Sequence, residues 1–137
     1  MHLVPLDRAD WPAIDGHRAC EAIEALGEPG EVEAWAARFA LLSDPHRLAV
    51  LICIRRAGPI SVTDLALATG MNATAVSQAL RLLRVAGAVA GDRDGRVIRY
   101  TLADETLGRV LALTGPEPSG DLDLHLPAEP EGHGSRR

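Results

Sequence analysis

The chain has 137 residues, with 14 basic and 19 acidic side chains and a net charge of −5, which suits one domain of ordinary size plus a tail. Two cysteines are too few for a disulfide scaffold, and no apolar run approaches the ~20 residues needed to cross a membrane. The opening MHLVPLDRAD lacks the cationic start and apolar stretch of a signal peptide, so a soluble cytoplasmic protein with reduced thiols is expected.

Residues 1–15, with Pro5, Pro12 and scattered charge, read as an arm without regular structure. Asp15 can cap a short helix over Gly16 to Leu26, on which His17, Cys20, Glu21 and Glu24 form one stripe; Gly27-Glu28-Pro29-Gly30 breaks it. The arm and this helix make a first unit, residues 1–30. A second helix is expected from Glu31 to Leu42, with Val32, Trp35, Ala36 and Phe39 on its apolar side. Ser43-Asp44-Pro45 supplies a cap and an N1 proline for a third helix carrying Leu48, Leu51, Ile52 and Ile54, which Gly58-Pro59 stops. Ser61-Val-Thr-Asp64 resembles a capping box, with Asp in place of the usual Glu, ahead of a fourth helix.

Gly70-Met71 turns the chain into NATAVSQALRLLRVAG, the stretch around which the rest is organised. Asn72 is a good N-cap, and Gly87 can take the left-handed conformation that ends a helix. Val76, Leu80 and Leu83 recur at helical spacing on one face, while Thr74, Ser77, Gln78, Arg81 and Arg84 occupy the other. Two short helices joined by a glycine turn, the second bearing polar side chains, define a helix-turn-helix. Next, AVAGDRDGRVIRYTL alternates apolar and polar residues about Asp94-Gly95, which predicts a two-stranded wing with Arg93 and Arg96 at its tip. A last helix is expected from Asp104 to Thr114, presenting Leu107, Val110 and Leu111. The core unit is therefore residues 31–114, and 115–137, with four prolines and several acids, read as a disordered acidic tail. The predicted fold is mainly α with a small β-hairpin: a winged helix-turn-helix of order α-α-α-α-β-β-α behind an extra N-terminal arm and helix.

Charge distribution says more than the total. From Ser43 to Leu102 eight arginines face four acids, so this segment is +4 and the remainder −9. A basic face between acidic ends fits a nucleic-acid partner. Every cation in the segment is Arg, whose planar fork suits phosphate and guanine.

Helices, helix-turn-helix, wing and final helix, carrying LLSDPHRLAVL, ISVTDLALATGMNATAVSQALRLLRVAGAV and GDRDGRVIRYTLAD in that order, resemble the ArsR/SmtB family of bacterial winged-helix repressors over roughly residues 32–113. The resemblance implies a homodimer, with Trp35, Phe39, Leu107 and Leu111 at its interface. It implies binding to a palindromic operator in double-stranded DNA and release when an inducer, often a metal ion, binds. By position, Thr74, Ser77 and Gln78 become base-reading residues, and Arg81, Arg93 and Arg96 become phosphate or groove contacts.

The inducer is less legible. The family's site on its last helix begins Asp-x-His, but the matching positions here are Asp104, Thr106, Glu117 and Gly120, interrupted by Gly115-Pro116. Its other common site starts with Cys at the helix-turn-helix; here that residue is Ser61, although Asp64 keeps its place as either helix cap or ligand. On the arm, His17, Cys20, Glu21 and Glu24 could accept Zn²⁺, Ni²⁺, Co²⁺ or Cd²⁺. The candidate metal set is therefore His17, Cys20 and Asp64, against the alternative that Cys20 is a small buried hydrophobe. A thiol switch using Cys20 and Cys53 is a second option, with Cys53 otherwise a core residue. His125 and His133 in the tail are weak candidates. Two other functions compete: a winged-helix module acting through protein contacts, and an enzyme, for which the sequence holds no G-x-S-x-G, phosphate-binding glycine loop or H-E-x-x-H.

Overall fold

A computed structural model describes residues 4–116. The tail positions considered above (Glu117, Gly120, His125, His133) lie outside the described residues. After a single 3-10 turn at Leu6–Arg8, the order is α1 (Gly16–Leu26), α2 (Glu31–Leu42), α3 (Pro45–Ala57), β1 (Ile60–Ser61), α4 (Val62–Thr69), α5 (Ala73–Val85), β2 (Val89–Asp94), β3 (Val97–Leu102) and α6 (Glu105–Leu111). The expected winged helix-turn-helix is present.

Capping accounts for most helix starts. Asp15, Asp44, Ser61, Asn72 and Asp104 each adopt extended backbone, and each side chain accepts the N–H three residues on. At Ser61 this is half of the expected box, since the Asp64 N–H donates to Ser61 Oγ at 3.2 Å. Gly70 ends α4 in the left-handed conformation at φ 78°, which turns the chain into α5.

The core joins α3, α4, α5, the sheet and α6 through Val50, Leu51, Ile54, Leu65, Val76, Leu80, Leu83, Leu107 and Leu111. Each fully buried aliphatic side chain there contributes about 1.5–3 kcal/mol relative to exposure. Neither the 3-10 turn, α1 nor α2 has a fully buried residue.

Three expectations need correction. The sheet has three strands, not two: β1 pairs antiparallel with β3 (Ile60 with Tyr100, Ser61 with Arg99), giving the order β1-β3-β2. Two residues between Pro59 and a helix start carry no periodicity, so only the fold reveals this strand. The hairpin turn is Gly95-Arg96, since Asp94 pairs with Val97. Gly95 has φ 70° and, among the described residues, no non-glycine residue has positive φ, as a turn with glycine at its first central position requires. Lastly, α6 is shorter than expected: Asp104 is its cap and Leu111 its final residue.

Gly58 closes α3 where the sheet passes. A Cβ there would lie 2.7 Å from the Ile54 carbonyl oxygen and 3.0 Å from that of Tyr100. Both obstacles are backbone, so Gly58→Ala should destabilise the chain by about 1–3 kcal/mol. Chemical denaturation should show a lower midpoint with an unchanged slope; an unchanged midpoint would contradict the packing described.

Candidate nucleic-acid interface

The geometry of α5 decides what it can do. Val76, Ala79, Leu80 and Leu83 are 0–9% exposed and anchor the helix in the core. The opposite side is left to Thr74, Ser77, Gln78, Arg81 and Arg84, all exposed. The N-terminal turn carries no acidic side chain of its own, so no carboxylate within it offsets the positive end of the helix dipole. Asn72 Oδ1 fixes that turn by accepting the Ala75 N–H at 2.8 Å. The same turn approaches the start of α3 across a hollow of about 260 Å³ lined by Asp44, His46, Arg47, Met71, Ala75 and Gln78, among others.

On the wing, Arg93 lies on β2 opposite Ile98, and Arg96 sits in the turn itself; both are exposed. Neither takes part in an ion pair among the described residues. Two other arginines of the basic segment are committed within the fold. Arg47 donates from Nε to the Leu41 carbonyl at 3.2 Å and from Nη2 to that of Ala40 at 3.0 Å, capping the end of α2. Arg99 is held by Asp94 at 3.1 Å. Arg81, Arg84, Arg93 and Arg96 are left exposed on α5 and the wing, and Arg55 and Arg56 are exposed at the end of α3.

The interface residues read from the sequence divide. Phe39 is 52% exposed and stacks with half-buried Trp35, ring centroids 5.6 Å apart, leaving aromatic surface on α2. Leu107 and Leu111 do not qualify: they are 0% and 1% exposed in the single chain, packed into its own core. Other residues of α6, such as Glu105 and Arg109, are exposed. Helical periodicity marked the apolar face of α6 correctly but could not say which surface it covers.

Among the effector residues, His17 Nε2 lies 3.6 Å from Glu21 Oε2 on the exposed side of α1, with Cys20 half-buried nearby in the same helix. Asp64 is exposed in the first turn of α4. Among the described residues of one chain, no three His, Cys, Asp or Glu side chains converge as a metal would need. Cys20 and Cys53 are free thiols; Cys53 packs against the core from α3, whereas α1 contributes nothing to that core.

Sequence reasoning missed Arg38. Its Nε donates to Asp104 Oδ2 at 3.2 Å, tying α2 to the start of α6, and its guanidinium lies 4.9 Å from the centre of the Trp35 ring. Asp104 uses its other oxygen to accept the Leu107 N–H at 3.1 Å. A separation of 66 residues hides this pair from local pattern reading.

Residues 43–89 match the winged helix-turn-helix DNA-binding family model. The HTH-type transcriptional repressor SmtB of Mycobacterium tuberculosis is 32% identical over 111 residues, covering 80% of this chain and 75% of that protein. The chain belongs to the ArsR/SmtB family of transcriptional repressors, which are regulators and not enzymes. The regulator NmtR of Mycobacterium tuberculosis is 47% identical over 76 residues, 56% of this chain, and the chain spans only 62% of its length. Among solved structures, the antimony-specific transcriptional repressor AntR superposes with a TM-score of 0.58 at 34% identity, covering 63% of this chain and 78% of that one. No helix among the described residues is long and apolar enough to cross a membrane.

Two carboxyls that position this surface titrate low. At Asp44 the Arg47 backbone N–H is the main cause, outweighing partial desolvation. At Asp104 burial pushes the carboxyl up, but the Leu107 N–H and the Arg38 guanidinium outweigh it and hold it below the usual range. A carboxyl with a depressed folded value stabilises the fold fully above its unfolded pKa near ~4, and that stability is lost as pH falls through the folded value. Thermal melts should therefore be flat from neutral pH down to about pH 5 and fall steeply below about pH 4, with a smaller acid loss in Asp104→Asn. An equal acid loss in that variant would contradict the role given to Asp104.

Proposed function

We propose that the protein is a homodimeric repressor that grips a palindromic operator through paired α5 helices and leaves it when a metal ion binds. The observation that carries the DNA reading is the two-sided character of α5. Its aliphatic side is buried, and Thr74, Ser77, Gln78 and Arg81 are exposed together on a helix whose first turn carries no acidic side chain. In this reading Thr74, Ser77 and Gln78 meet base edges, Gln78 pairing through its amide with adenine. Arg81, Arg93 and Arg96 contact phosphate, Arg96 reaching furthest from the hairpin turn. The stack of exposed Phe39 on half-buried Trp35 supports an apolar dimer face on α2.

For the inducer, the donor chemistry of His17 and Cys20, with Asp64 contributed from elsewhere in the dimer, suits Zn²⁺, Ni²⁺, Co²⁺ or Cd²⁺. A metal bound there would supply a cross-link between the arm and the helix-turn-helix. The solved relative AntR is antimony-specific by name, which supports a metal or metalloid as the class of inducer.

A duplex selected from a random pool should shift with the protein, with affinity falling steeply as salt rises. Arg81→Ala should weaken every sequence alike and lower the salt slope by about one, whereas Gln78→Ala should relax preference at one base pair at a cost of about 1–3 kcal/mol. Salt-insensitive binding, or equal effects of both changes on all sequences, would contradict the assignment. Among added Zn²⁺, Ni²⁺, Co²⁺ and Cd²⁺, at least one should release the DNA from the parent but not from Cys20→Ser. Release by an oxidant alone, lost in Cys53→Ser, would move the trigger to the thiols.

A further inference from the structure

Among the described residues, the Arg38–Asp104 pair is the only ion pair joining elements distant in sequence; the others link neighbours in the arm, in α1 or across the hairpin. Its surroundings give it a particular mechanical position. Helix α2 has no fully buried residue, and the side chains it lays against the core, Leu41 and Leu42, are its last two. Arg47 caps the same end by bonding the Ala40 and Leu41 carbonyls. The contacts of α2 with the core thus gather at its C-terminal end, while its first residue bonds back to the preceding turn, the Glu31 N–H donating to the Glu28 carbonyl at 3.0 Å. Arg38, a turn before the C-terminal contacts, ties α2 to the start of α6, and with its partner it is only about a quarter exposed, 27% and 25% for the two side chains.

The far side of the joint leads to the wing. Asp104 follows β3 by two residues, caps α6 through the Leu107 N–H, and receives Arg38 on its second oxygen. β3 is the central strand, paired with both β1 and β2. Arg38 meanwhile covers the Trp35 ring, which stacks on Phe39. One unbroken series of contacts therefore runs from the aromatic surface of α2, through a guanidinium and a carboxylate, to the root of the wing.

We propose that Arg38 and Asp104 are positioning residues that pin α2, and with it the dimer face, at a fixed angle to the wing and α5, so that operator affinity depends on a pair that never touches DNA. Without the pin, α2 pivots about its C-terminal end. The two reading heads of a dimer then lose their fixed separation, and binding must select the productive arrangement from several. This rests on the dimeric DNA-binding reading above, and the test separates the two.

Asp104→Asn is the informative substitution, because asparagine caps a helix about as well as aspartate yet carries no charge for Arg38. Full-length parent, Asp104→Asn, Arg38→Gln and the double variant would be compared for thermal stability, dimer assembly by sedimentation, operator affinity and amide exchange. The expected result is an intact dimer that binds its operator about three- to thirtyfold more weakly in each single variant, with faster exchange in the first turns of α2. The double variant should be no weaker than the poorer single, since both changes break one contact. Arg38→Lys, which keeps the charge, should recover part of the loss. Affinity within twofold of the parent in Asp104→Asn, or losses that multiply in the double variant, would overturn the proposal. If the parent itself binds no duplex, the DNA reading fails, and exchange in α2 still decides the joint: unchanged protection in both single variants refutes it.

Discussion

Burial of one aliphatic face of α5 is the constraint on which the rest of the structure depends. Val76, Ala79, Leu80 and Leu83 are driven out of water against α3, α4 and the sheet, and a helix fixed along that line has no freedom to rotate. The polar side chains between them are then presented outward as a set. No single one of Thr74, Ser77, Gln78 or Arg81 is distinctive. Their joint presentation at a capped helix N-terminus is a consequence of where the leucines had to go.

The remainder of the fold serves that placement. Asn72 starts α5, Gly70 sets the turn before it, and α3 provides the floor on which it rests. The wing lies alongside because β3 is held between β1 and β2, and the hairpin delivers Arg96 at its very end. Charge is distributed to match. Arg47 and Arg99 are engaged by the fold, while Arg81, Arg84, Arg93 and Arg96 stay exposed on α5 and the wing, with Arg55 and Arg56 exposed at the end of α3. A net charge of −5 is therefore compatible with a DNA-binding face, because a polyanion meets the local field before the total.

Much of this was legible in the amino-acid order because local rules and the fold agree. Asp15, Asp44 and Asn72 announce helix starts through their own side chains, and the i, i+4, i+7 apolar series in α5 names the buried face. Reading failed where the deciding contact is remote. β1 exists only because Tyr100 and Arg99 lie beside it, and two residues carry no pattern. Leu107 and Leu111 were marked as apolar on the right face of α6, but periodicity does not tell a core from a partner's surface. Asp94-Gly95 predicted the hairpin yet missed its centre by one residue, since strand register places the turn at Gly95-Arg96. The Arg38–Asp104 pair left no local trace. The inducer residues are the least legible of all: among the described residues of one chain no three metal-binding side chains are brought together, so neither spacing nor fold singles out a donor set.

The most direct test of the central claim is geometric. If paired α5 helices enter successive major grooves, the two half-sites of the operator must lie about one duplex turn, ~10 base pairs, apart on the same side of the DNA. Inserting about half a turn between them should rotate one half-site away and cut affinity to the level of a single half-site. Measured by titration at fixed salt, a loss of tenfold or more is the result predicted here. Affinity that ignores the insertion would mean that each α5 binds independently, and the account of this protein as a two-headed reader of DNA would be wrong.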